Sequence, residues 1–235
     1  RSADNPYLPQ DFIERLQANY DPSLLQAYLE GQFCNLTTGQ VYDRFDRAKH
    51  VSALSEQEYQ NEPLRVGVDF NIGNMSAVIG VRLDNKLHLI DEISGAHDTD
   101  ALAQELRQRF PDSVVYVYPD ASGSARSTNA SRTDIQILES YGFSNQSPKA
   151  NPPIRDRVAS VQALLENGKG EVRLQIAPRC KRTIECLELQ SYTEAGDPDK
   201  DAGYDHMNDA LGYLVYRDFS MLNARAGRGT GIRLY

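Results

Sequence analysis

The chain has 235 residues, 40% hydrophobic and 25% charged, enough apolar material for one α/β domain with an appendage and too much for a chain dominated by disorder. Its formal net charge of −8 argues, taken alone, against a polyanionic partner, because Lys and Arg supply most nucleic-acid affinity; yet Ala121 to Arg182 carries ten Lys and Arg against five Asp and Glu, leaving −13 for the rest. Cys34, Cys180 and Cys186 have no paired metal-ligand spacing, and no secretory signal or long apolar run accompanies them, which predicts a reduced, cytosolic protein without a membrane segment.

Residues 1 to 64 read differently from the remainder. Phe12, Ile13 and Leu16 are spaced as one helix, Asp21-Pro22 interrupts it, and Leu24, Leu25, Tyr28 and Leu29 are spaced as a second that Gly31 stops. Two apolar pieces around Thr37-Thr38-Gly39, within Phe33 to Phe45, predict a small hairpin, and the polar stretch Ser55 to Pro63 predicts a connector. From residue 64 the pattern becomes strand (Leu64 to Phe70), strand (Met75 to Leu83), strand (Lys86 to Ile93), a helix capped by Asp98 and running to Arg109, then a strand (Ser113 to Tyr118). Helices are expected over Thr133 to Tyr141, Ile154 to Asn167, Cys180 to Gln190 and Tyr204 to Phe219, with a strand over Glu171 to Ala177. This order resembles the ribonuclease H-like α/β fold, a mixed sheet of three antiparallel strands followed by parallel strands and flanked by helices.

Three aspartates stand where that pattern places chemistry. Asp69 ends the first strand, Asp120 follows the fourth, and Asp209 sits in Tyr-Asp-His-Met-Asn-Asp-Ala with Asp205 and His206 one turn away. Ligands of open α/β sheets collect at the carboxyl ends of strands, so Asp69 and Asp120 are expected to converge although 51 residues separate them. Clustered carboxylates at such an edge suit hard divalent cations, and a pair of ions can activate water and steady the departing oxygen of a phosphate ester. Each has a plainer use: Asp69 and Asp120 as turn or cap residues, Asp205 as a helix cap, His206 as a solvent-facing histidine. On the last helix Met207, Ala210, Leu211 and Leu214 form the aliphatic face, which puts Asp209 on the other side with Gly212, Tyr213 and Tyr216; either that helix packs on both faces or Asp209 clears the sheet edge from the first turn. Arg126, Arg132, Lys149, Arg155 and Arg157, following Asp120, are candidates for phosphate contacts, against the common fate of a solvated basic face. Glu92 is a reserve carboxylate more compatible with a structural role, and Cys180 and Cys186 read as packed thiols.

With these residues in hand, the chain resembles the nuclease half of the large terminase subunit of tailed bacteriophages of the headful-packaging type. The similarity extends from about Asn5 to Phe219 and rests on Tyr28-Leu-Glu-Gly-Gln-Phe-Cys-Asn, Val66-Gly-Val-Asp-Phe-Asn-Ile-Gly, Val117-Tyr-Pro-Asp-Ala-Ser-Gly and Tyr204-Asp-His-Met-Asn-Asp-Ala. The resemblance implies a virus-encoded endonuclease of the host cytoplasm that cuts double-stranded DNA, with two Mg2+ or Mn2+ ions as cofactors. It implies Asp69 bridging the ions, Asp120 and Asp209 each holding one, Asp205 adjoining as a ligand, and His206 tuning Asp209 or the attacking water. It implies as partners an ATPase motor, the small terminase subunit and the portal protein. No Gly-x-x-x-x-Gly-Lys-Ser/Thr phosphate loop is present, so residues 1–64 are expected to be the trailing edge and connector of a motor and 65–235 the nuclease domain with a flexible, basic tail. Asn71 stands where proofreading exonucleases of the same superfold carry a second acid. The rival readings are a junction resolvase or transposase-like nuclease on the same fold, an ATP-binding protein of the actin and sugar-kinase type, disfavoured by the lack of an internal repeat, and a catalytically silent assembly module.

Overall fold

The computed structural model describes residues 11–20, 22, 25, 29, 39–71, 73–124 and 132–219. Six strands, β1 (Leu64–Asp69), β2 (Met75–Leu83), β3 (Lys86–Ala96), β4 (Val115–Pro119), β5 (Ser144–Asn145) and β6 (Leu174–Ile176), form one sheet in the order β5-β4-β1-β2-β3-β6. β2 runs antiparallel to both β1 and β3, whereas β4 is parallel to β1, β5 to β4 and β6 to β3. This is the mixed sheet the element order predicts. The β2–β3 turn is closed by Asp84 and Asn85, both at positive φ (45° and 63°), the conformation a two-residue hairpin loop requires.

Helices cover both faces. Strand alternation sends Val66, Val68, Ile79, Val81, Val115 and Val117 to one side, where they pack with Leu102, Ala103 and Leu106 of a helix at Thr99–Arg109 and with Leu138 of one at Asp134–Ser140. Asp98 caps the first of these as predicted, accepting the Ala101 N–H at 2.8 Å. The opposite side packs Val78, Leu87, Leu89, Leu174 and Ile176 against three helices, here α6 (Ile154–Leu165), α7 (Lys181–Leu189) and α8 (Asp205–Asp218), counted in chain order after Phe12–Asn19, Arg47–His50, Glu56–Tyr59 and the two just named. Among the described residues no helix is long and apolar enough to cross a membrane.

Several local expectations differ from the structure. The connector Ser55 to Pro63 contains a helical turn, Glu56–Tyr59, closed by a reciprocal Ser55–Glu58 capping box. The described part of the expected Phe33 to Phe45 hairpin, from Gly39 on, makes a bridge between Gln40 and Ser191 followed by a turn; residues 33–38 lie outside the described residues, as does most of the second helical pattern and all of the tail after Phe219. β5 is not among the expected strands, since two residues carry no periodicity, and the strand read over Glu171 to Ala177 shortens to Leu174–Ile176. Val41 and Tyr42 are buried in the core beneath α6, and Val51 bridges to Ile176 at the β6 edge, so part of the segment before residue 64 packs on the sheet domain.

Candidate active site

Strand register brings the first two aspartates together. β1 and β4 are parallel neighbours with Val68 opposite Pro119, so the next residue of each strand, Asp69 and Asp120, emerges side by side at the carboxyl edge. The period of two then assigns the face: Val66 and Val68 enter the core on one side, leaving Arg65, Gly67 and Asp69 on the side of α8. Both aspartates are buried, 8% and 7% exposed. Asp120 also does the plainer work expected of it, accepting the Ser122 N–H and Oγ–H at 3.1 and 2.8 Å and so holding the short 3-10 turn Ala121–Ser124.

The same three β1 positions seat α8. Arg65 Nε donates to Asp218 Oδ2 at 2.7 Å at one end, and His206 Nδ1 lies 3.1 Å from Asp69 Oδ2 at the other. Between them a Cβ on Gly67 would fall 2.1 Å from the Ala210 carbonyl oxygen and 3.0 Å from Leu214 Cβ, so only glycine lets the helix lie this close. The alternatives left open for α8 resolve as packing on both faces: Ala210, Leu211 and Leu214 bury on the sheet, while Gly212 lies against the Arg157 stem of α6 and Tyr213 is buried. Asp205, His206 and Asp209 thereby join Asp69 and Asp120 in one open cleft of about 610 Å³, lined also by Asn71, Asn151, Arg157, Lys200 and Tyr213.

The cleft holds more negative charge than its polar contacts absorb. Burial, reinforced by Asp209, pushes the Asp69 carboxyl up to about 6, with the His206 contact opposing. Asp120 is also raised by burial, against hydrogen bonds from Ser122. Asp205 does not cap α8: its carboxylate is buried, and Oδ1 has no hydrogen-bond partner. Asp209 instead meets two cations, Arg157 Nη1 at 2.7 Å and Lys200 Nζ at 3.5 Å. Asn71 Nδ2 reaches His206 Nε2 at 2.9 Å; with the amide donating, the ring proton sits on Nδ1 and is donated to Asp69. Among the described residues no three His, Cys, Asp or Glu are gathered tightly enough to ligate one ion as they stand, and Asp209 is held by Arg157 and Lys200. An oxygen-rich donor set, a buried carboxylate oxygen without a partner and two buried acids with raised proton affinity nonetheless fit a hard divalent cation.

The candidate phosphate-contact residues divide. Arg126 lies outside the described residues. Arg132, Lys149 and Arg155 are exposed, the last two flanking the segment Asn151–Ile154 that forms a wall of the cleft. Arg157 is not on that open face: it is 5% exposed, paired with Asp209 and stacked over the Tyr213 ring at 4.3 Å. Glu92 is structural, its carboxylate accepting the Arg182 and Thr183 N–H groups at 2.8 and 2.9 Å and the Thr183 hydroxyl at 2.7 Å, which caps α7. Cys180 and Cys186 are buried free thiols, the latter pushed up to about 12 by burial. Lys200 was missed; its only signal was a lone cation inside the acidic run Asp197 to Asp201.

The profile of the Terminase RNaseH-like domain family matches residues 66–217, more than half of the chain and all of the cleft. The chain belongs to this family. No curated protein sequence matches it significantly. Similar solved structures are the large terminase from a thermophilic bacteriophage (20% identity, TM-score 0.69, covering 93% of this chain and 54% of that one), the P22 large terminase nuclease domain (14%, 0.61, 82% and 100%) and the bacteriophage SPP1 large terminase nuclease domain with bound Mn (17%, 0.51, 76% and 98%). At these identities the likeness is one of fold. This terminase RNase H-like chain spans about half the length of the thermophilic phage's large terminase and most or all of the two nuclease domains.

Proposed function

We propose that this chain is a divalent-metal-dependent endonuclease that cuts double-stranded viral DNA, with little sequence preference, at the start and end of genome packaging. The observation that carries the reading is the gathering of Asp69, Asp120, Asp205 and Asp209, from two strand ends and one helix, in a single open cleft, with one buried carboxylate oxygen, Asp205 Oδ1, left without a partner. The manganese of the SPP1 nuclease domain supports the choice of cofactor. Mg2+ or Mn2+, two ions, would be held by the four aspartates and would supply Lewis-acid stabilisation of charge on a phosphodiester.

The chain's own residues supply the rest. His206, oriented by Asn71, donates to Asp69 and fixes its carboxylate toward the cleft. Lys149 and Arg155, exposed beside the cleft wall, meet backbone phosphates, which carry position and little base information. Residues 1–64 are the trailing edge and connector of an ATPase motor, 65–235 the nuclease domain; the small subunit and portal protein are its partners, and the host cytoplasm is its place of action. The experiment is plasmid cleavage in Mg2+ or Mn2+ by the wild-type chain and by Asp120→Asn. Cleavage abolished by EDTA and by the substitution is expected. Cleavage at the wild-type rate by Asp120→Asn removes that residue from the centre and leaves it only its turn contacts with Ser122, and a preference for branched over linear duplexes would favour a resolvase.

A further inference from the structure

We infer that Arg157 and Lys200 are resident counter-cations of Asp209 that compete with a divalent cation for this carboxylate, making the two sides of the cleft unequal; the inference rests on the nuclease reading above. The asymmetry is geometric. Among the described residues Asp69 has only His206 as a basic contact, at 3.1 Å, and Asp120 is held by the neutral Ser122, with Arg157 acting on it at longer range and without an ion pair. Asp209 has a guanidinium nitrogen at 2.7 Å on Oδ1 and an ammonium at 3.5 Å on Oδ2, and the same ammonium lies 3.9 Å from Asp205. A cation entering between Asp69 and Asp120 therefore meets carboxylates that, among the described residues, form no ion pair with Lys or Arg, whereas one seeking Asp209 has to displace two positive charges.

The two counter-cations differ in how they yield. The Lys200 side chain is 54% exposed and can swing into solvent. Arg157 is fixed. Its guanidinium lies 4.3 Å over the Tyr213 ring, its Nε has no partner, and its stem fits under Gly212, where an added Cβ would come within 3.2 Å of Arg157 Cβ. Such a group acts as a positioning residue: it orients Asp209 before metal arrives and sets the affinity of the carboxylate for that metal. Charge, rather than shape, is what competes, so a substitution that keeps the charge should keep the affinity.

The test is Mn2+ binding to the DNA-free chain, followed by calorimetry and by the electron paramagnetic resonance of free Mn2+, for wild type, Lys200→Gln, Arg157→Gln and Arg157→Lys. Removing one unit charge a few ångströms from a bound dication in a partly solvated cleft is expected to tighten binding several-fold in Lys200→Gln and on the order of tenfold or more in Arg157→Gln. Arg157→Lys should stay within about threefold of wild type, since a one-for-one exchange keeps the Coulomb energy. Unchanged or weaker Mn2+ binding in Lys200→Gln and Arg157→Gln overturns the inference, as does an Arg157→Lys affinity displaced as far as that of Arg157→Gln. If Arg157→Gln does not give a folded melting transition, exposed Lys200→Gln decides alone. Failure of the wild-type chain to take up Mn2+ overturns the nuclease reading with it, whereas wild-type uptake that both charge removals leave unaltered sinks only the competition.

Discussion

Replacing Asp69 with Asn separates the cost of the active-site charge from its use. In the folded chain burial and the neighbouring Asp209 move the carboxyl from 3.8 to about 6. Because the folded state holds this proton more tightly than the unfolded chain, the stability tied to it is fully present below about pH 3.8 and is lost as pH rises through about 6. At 1.36 kcal/mol per decade the whole window corresponds to about 3 kcal/mol, of which about half falls between pH 5 and pH 8. Asparagine is neutral throughout, and its carbonyl oxygen can still accept from His206 Nδ1–H, so the variant keeps the polar contact and escapes the charge. Urea unfolding of both proteins in EDTA at pH 5 and pH 8 is the assay, read as the difference between the two stability differences. The variant should gain about 1.5 kcal/mol on wild type across that interval. Saturating Mn2+ should return most of that loss to wild type at pH 8, because an ion at a hundred times its Kd stabilises the native state by about 2.7 kcal/mol only where it can bind. A stability difference that ignores pH, or wild type gaining on the variant as pH rises, would refute the argument that Asp69 is an uncompensated buried acid.

Gly67→Ala drives a methyl group into the Ala210 carbonyl at 2.1 Å, so α8 has to lift; a loss of at least about 1–3 kcal/mol, the usual range for overpacking, is expected in chemical denaturation, together with loss of Mn2+ binding because Asp205, His206 and Asp209 ride on that helix. Glu92→Ala should cost about 1–2 kcal/mol by removing the cap of α7, while Mn2+ affinity measured below the melting transition stays at the wild-type value; a lost metal site would make Glu92 a ligand after all. Lys149→Ala and Arg155→Ala should each lower the slope of log Kd against log salt for duplex DNA by roughly 0.9 per phosphate contact without changing Mn2+ affinity, and an unchanged slope would remove them from the DNA path.

What could be read without coordinates divides along physical lines. β1 and β4 were legible because a short valine-rich run ending in Asp carries its own punctuation, and parallel register then placed Asp69 beside Asp120 with no further information. The third acid was harder. Side-chain periodicity on α8 turned Asp209 away from its aliphatic stripe, and only the close approach allowed by Gly67, together with α6 packing on the second face, returns it to the cleft. A glycine's role in helix seating leaves no local signature, since what it avoids is an atom 143 residues away. The placement of Arg157 is illegible for a related reason: sequence gives the sign of a charge but not its depth, and a 5% exposed guanidinium lines the cleft beside Asp209, apart from the exposed face of Lys149 and Arg155. Lys200 and Glu92 lie where periodicity is silent about tertiary partners, the one over an acidic pair and the other over a helix terminus.

The acidic balance of the chain, at first an argument against a polyanionic partner, acquires a different meaning at the cleft. Four aspartates face one fixed cation, Arg157, and one exposed cation, Lys200, there, and the two cations gather on the Asp205 and Asp209 side. In the metal-free state a phosphate arriving along the basic rim of Lys149 and Arg155 meets net negative charge where bond breaking would have to occur, in a partly buried setting where such repulsion is screened less than at an open surface. On the proposed reading, phosphate and cation therefore depend on each other: the ion removes the repulsion that excludes the backbone, and the backbone brings charge that offsets the ion. DNA affinity in the cleft should accordingly be built from rim contacts plus metal, not from rim contacts alone, and an excess of carboxylates becomes a restraint on cutting, since the charge that would attract the ions is the same charge that keeps DNA out until they arrive.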